Sequence, residues 1–89
     1  MDEDIDLRQM ALNVIARITN PRQAEVIVAT ERRGEAGKDV AARLGVSPAT
    51  ITSDRKAVIL LVTEFAENLD AAARLLKEVV DLLYEASDG

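Results

Sequence analysis

An all-α fold is predicted for this chain: a five-helix domain built on a helix-turn-helix, with long C-terminal helices forming a dimer interface. Three observations predict it. Apolar residues recur at three- and four-residue spacing along most of the chain, and no alternating strand pattern interrupts them. The helix breakers cluster where helices would start or stop: Asn20-Pro21, Gly34 to Gly37, and Gly45 to Pro48. The stretch GKDVAARLGVSPATITSDRKA, from Gly37 to Ala57, has the form of a short helix, a tight turn and a second, capped helix.

The first helix is expected over Asp4 to Ile18. Leu7, Met10, Ala11, Val14, Ile15 and Ile18 make one apolar stripe. Asp2, Glu3, Asp4 and Asp6 gather at its start, where negative charge favours the helix dipole. They lack the spaced ligands and glycine of a calcium loop, so a solvated helix start is the expectation and no metal is assigned. Asn20 as cap and Pro21 as first residue open the second helix, expected to reach Arg33 and to bury Ala24, Ile27 and Val28, with Val26 shared.

Lys38 to Leu44 forms the third helix. Val40, Ala41 and Leu44 share its apolar face, and Ala41 is small where two crossing helices approach. Gly45 suits a left-handed helix end, Val46 plugs the angle, Ser47 caps the next helix and Pro48 begins it. Ile51 is the first buried anchor of the fourth helix, expected to run to Asn68 because no glycine or proline interrupts it. The fifth helix is expected from Asp70 to Ala86. Residues 1–89 are read as one helical domain, with 21–57 as the helix-turn-helix core and 58–87 as the dimerisation helices.

The segment VAARLGVSPATI resembles the helix-turn-helix of LuxR-type regulators and of region four of bacterial sigma factors. Upstream, ITNPRQAEVIV resembles the first helix of those domains, so the likeness runs from Ile18 to Lys56. Three departures stand out. Asn20 is inserted between Thr19 and Pro21, and the stretch before Gly34 is longer by one residue than in the family. Asp54 and Arg55 occupy the turn after Ile51, where the family places an apolar contact. Helices also flank the core on both sides, which together with the ATIT segment resembles the Trp repressor type. The resemblance implies a helical domain whose second motif helix lies in the DNA major groove.

Composition narrows the chemistry. Cysteine and histidine are both absent, which excludes thiolate catalysis, disulfides and the usual zinc sites. No phosphate-cradling glycine loop occurs, so neither an enzyme nor a cofactor is expected. Phe65 and Tyr84 are the only aromatics, too few for single-strand binding by base stacking. The N-terminus is acidic and the longest apolar run is short, so no signal peptide and no membrane contact are expected, and the chain is expected in the cytoplasm. The net charge is −5, awkward for a partner of DNA. Its distribution is more telling. Residues 7–58 carry nine bases and five acids, a net +4, while residues 1–6 carry −4 and residues 59–89 carry −5. A positive centre between acidic ends orients one face towards phosphates.

Double-stranded DNA is therefore the expected partner. Pro48, Ala49, Thr52, Ser53 and Lys56 are assigned to base edges, where Ala49 or Thr52 meets a thymine methyl and Lys56 a guanine acceptor. Ser47, Thr50, Arg55, Arg43, Lys38 and Arg22 are assigned to phosphates, with pairing to Asp54 as the alternative for Arg55. A second copy of the chain is the other expected partner. AVILLVTEFA is apolar nearly all round, and the fifth helix carries two seams, Leu69-Leu76-Leu83 and Leu75-Leu82. One seam covers the chain's own core and the other meets the second copy, through Leu61, Phe65, Leu69, Leu76, Val80 and Leu83; the alternative is that the first helix covers both. The expected function is a homodimeric, sequence-specific transcription regulator that also meets the transcription machinery. Two alternatives stand beside it: a module binding a polymerase subunit or another regulator, and a viral or plasmid packaging or partition adaptor.

Overall fold

The computed structural model describes residues 3–88, with side chains described for 6–87. Five helices make up the chain, with no strand among the described residues: α1 Glu3–Arg17, α2 Pro21–Ile27, α3 Gly37–Leu44, α4 Pro48–Phe65 and α5 Leu69–Asp88. Asp2 lies outside the described residues, as do the side chains of Glu3 and Asp4.

Local chemistry sets most of the boundaries. The Asn20 side chain accepts from the Arg22 N–H at 2.9 Å, and Pro21 follows as the first helical residue. Beyond Ile27, α2 widens into a π-helical turn over Val28–Arg32, closed by the Arg33 N–H donating to the Val28 carbonyl. The widening has a visible setting. Val26 and Ala29 face one core while Ile27 and Val28 face another, so four consecutive residues are buried on a helix wedged between two apolar clusters. Gly34, at φ +70°, reverses the chain towards α3.

The fourth helix is three residues shorter than its uninterrupted sequence suggests. Ala66 leaves the helix in an extended conformation, and Asn68 is taken by the next helix, its side chain accepting from the Ala71 N–H at 2.8 Å. The bend is needed because α5 packs back along α1, the π turn and α4. A continuous rod would carry those apolar residues into water.

Three clusters make the core. Val26, Ala29, Val40, Ala41 and Ile51 join α2, α3 and α4, with Leu44 and Val46 packed at the edge. Ile27, Val28, Val58 and Val80 join the α2 segment to the middle of α4 and to α5, with Leu76 and Leu83 against them. Ala11, Val14, Val62, Leu75 and Val79 tie α1 to the end of α4 and to α5. Val26 is fully buried, whereas Ala24 is only half-buried.

This packing corrects the expected seam on α5. Leu75, of the Leu75-Leu82 seam, and its neighbour Val79 are covered by α1. Val80, expected to meet a second copy, is 4% exposed and belongs to the chain's own core. Leu76, Leu83, Leu61 and Phe65 are half-buried against the same clusters. The reason is that the π turn and α4 fill the space beside α5 that periodicity alone left empty. Leu69 does stand free, 86% exposed, and Leu60 on α4 is 62% exposed. No helix is long and apolar enough to cross a membrane among the described residues.

Candidate nucleic-acid interface

The turn between α3 and α4 is built as its residues dictate. Gly45 ends α3 at φ +71°, a conformation an L side chain adopts at a cost, and the Val46 N–H donates to the Ala41 carbonyl at 3.0 Å. Ser47 sits extended and its Oγ accepts from the Thr50 N–H at 3.3 Å. Ala41 and Ile51 are buried where the helices cross. Gly37 opens α3 with its Cα towards Ile51, so the start of α3 lies close on α4.

One face of α4 is spent and the other is free. Ile51, Asp54, Val58 and Val62 are buried, following helical spacing. Pro48, Ala49, Thr52, Ser53 and Lys56 are all exposed. From Pro48 to Lys56 this face runs about 13 Å along the axis, comparable with the roughly 12 Å width of a B-DNA major groove. Thr52 keeps its hydroxyl on the Pro48 carbonyl at 3.4 Å, which turns its methyl outward, and Thr50 shares a hydrogen bond with Ser47 at 3.0 Å. Thr50 is half-buried and Ser47 exposed.

The cations are placed less freely than their number suggests. Lys38 and Lys56 are exposed and have no carboxylate partner among the described residues. The arginines assigned to phosphates are held by acids. Arg22 forks onto Asp54, with Nε donating to Oδ2 at 2.7 Å and Nη2 to Oδ1 at 3.2 Å. Hydrogen bonding to Asp54 raises the Arg22 pKa above its ordinary value, against the opposing effect of desolvation. Arg43 donates to Glu25 at 3.1 Å and to Glu35 at 3.0 Å. Those two hydrogen bonds, the one to Glu35 first, raise its pKa as well. Arg33 closes the group by donating to Glu25 at 3.0 Å. Arg55 pairs with Glu31 on the π turn, not with Asp54, and its Nε is buried without a partner.

Thus the base-edge set Pro48, Ala49, Thr52, Ser53 and Lys56 comes together on one open surface, while Arg22, Arg43 and Arg55, each still partly exposed, are paired with the chain's own carboxylates. Asp54, expected only as an alternative partner for Arg55, instead holds Arg22. Its signal was present, as a carboxylate where a helix-turn-helix places an apolar contact, but its partner lies 32 residues away. Comparison of the chain with protein-family models, with curated proteins and with solved structures gives no match.

Proposed function

We propose that this chain is a transcription regulator that binds double-stranded DNA sequence-specifically, laying α4 in the major groove. The observation that carries this reading is the uncovered face of α4 from Pro48 to Lys56, left open beside a packed α3–α4 angle. Small and hydroxyl side chains there, Ala49, Thr52 and Ser53, let the helix backbone approach base edges closely, and Lys56 supplies a donor. Lys38 and Thr52 border a recess between the start of α3 and α4, where a phosphate would sit beside the groove. In this reading two copies act together, meeting through Leu69 and the partly exposed apolar residues near it, and present two reader helices about 34 Å apart.

Selection of bound fragments from a random pool of duplexes tests it. The expected result is an enriched, roughly palindromic site with half-sites one helical turn apart. Thr52→Ala and Lys56→Ala should relax the preference at one position in each half-site. Absence of enrichment, with binding no better than to unrelated duplex, would reject the reading. A protein-interaction module is the second reading, favoured by the exposed leucines Leu60 and Leu69 and by the internal neutralisation of the arginines. Binding to a polymerase subunit by a chain with no DNA affinity would select it.

A further inference from the structure

Asp54 is 3% exposed, the one buried charged residue among the described residues. Its neighbours along the buried face of α4 are Ile51 and Val58, both in apolar clusters. An aliphatic side chain would complete that face at no desolvation cost. Instead a carboxylate is buried there and met at both oxygens by the Arg22 guanidinium. Buried ion pairs are weak sources of stability, since desolvation offsets most of the attraction. Their best attested use is to select one register among several packings of similar energy.

We infer that the Arg22–Asp54 fork is a positioning pair that fixes the rotation of α4 and thereby its discrimination between DNA sequences, an inference that rests on the DNA-binding reading. Arg22 is itself held firmly. It is the second residue of α2, and its N–H is bound by the Asn20 cap. A two-point fork from that fixed base, one bond to each carboxylate oxygen, tolerates less sliding or rotation of Asp54 than a single contact would. Apolar ridges are more permissive: even the crossing angles of packed helices scatter by about 15–20°, and an apolar face sets no single rotation of its helix. With side chains at about 5–6 Å from the axis, a rotation of about 20° displaces the outer atoms of α4 by about 2 Å. That displacement breaks a hydrogen bond to a base edge, yet leaves a lysine–phosphate attraction nearly intact. Ser53 and Lys56 flank Asp54 on the same helix, so its angle is theirs.

The test uses the full chain with Arg22→Met combined with Asp54→Leu, and separately Arg22→Lys, which keeps the charge but loses the planar fork. Thermal midpoint, affinity for the selected duplex, affinity for an unrelated duplex at the same salt, and the rotation of α4 about its own axis relative to α2, by NMR residual dipolar couplings of the amides along both helices, are measured. The double variant should melt at or above the parent and bind unrelated duplex within about twofold of it. Its preference for the selected site should fall by about tenfold or more, the worth of one good base contact. Arg22→Lys should fold and lose discrimination in the same direction. Either folded variant keeping the parent's preference would overturn the inference, as would an unchanged rotation of α4 relative to α2 in both. If the parent prefers no duplex, the functional reading fails; the rotation measurement then still decides whether the fork sets the orientation of α4.

Discussion

If α4 binds duplex DNA as proposed, the response of its affinity to salt follows from which cations are free. Lys38 and Lys56 have no carboxylate partner among the described residues, whereas Arg22, Arg43 and Arg55 are each held by one or two acids. Each phosphate neutralised by a free cation contributes about 0.9 to the slope of log affinity against log salt. A dimer in which Lys38 meets a phosphate and the Lys56 charge, while its ammonium donates to a base edge, also displaces one counterion from the groove should show a slope of about −3.6, a loss of about 150-fold between about 50 and 200 mM salt. Were the three arginines to leave their carboxylates for phosphates, the slope would approach about −9 and the loss would exceed about 10⁵-fold. The perturbation is Lys38→Ala with Lys56→Ala, read by fluorescence anisotropy of a labelled duplex across a salt series. The slope should collapse towards zero in the double variant and halve in either single variant. A steep slope that survives the loss of both lysines would show that the arginines carry the backbone contacts, and would refute the assignment of their charge to Glu25, Glu31, Glu35 and Asp54.

Three further outcomes are expected. Gly45→Ala has room for its methyl but not a comfortable backbone at φ +71°, and should cost about 1–2 kcal/mol, read by denaturant melts. Ser47→Ala removes the cap on α4 and should cost about 1 kcal/mol, a fall of about 4–8 °C in Tm for a domain of this size. Leu69→Glu should leave the single chain folded, because the side chain is 86% exposed on it, but should convert a dimeric parent to a monomer in light scattering and remove the concentration dependence of its Tm. A monomeric parent at micromolar concentration would remove the second copy from the proposed mechanism.

The turn between α3 and α4 was legible because its makers act at short range. Gly45, Ser47 and Pro48 each act on groups within a few residues, while Ile51 and Val46 add apolar contacts that reach back to Val26 on α2 and Ala29 on the π turn. The end of α4 was misjudged for a related reason. Ala66 to Asn68 carry no strong breaker, and the bend there is imposed by the packing of α5 on α1 and the π turn. The face of α4 was legible from its period, since buried Ile51, Val58 and Val62 leave Ala49, Thr52 and Lys56 on the other side.

The amino-acid order thus fixes the helices, their caps and the hinge of the helix-turn-helix, because periodicity, capping and left-handed glycine act over one or two turns. Contacts across the fold assign the arginines and the seams of α5. Arg22 reaches Asp54 over 32 residues, Arg55 reaches Glu31 over 24 and Arg43 reaches Glu25 over 18. Charge counted along the chain gives the positive middle segment. The carboxylates brought beside its arginines by folding leave Lys38 and Lys56 as the freer cations near the exposed face of α4.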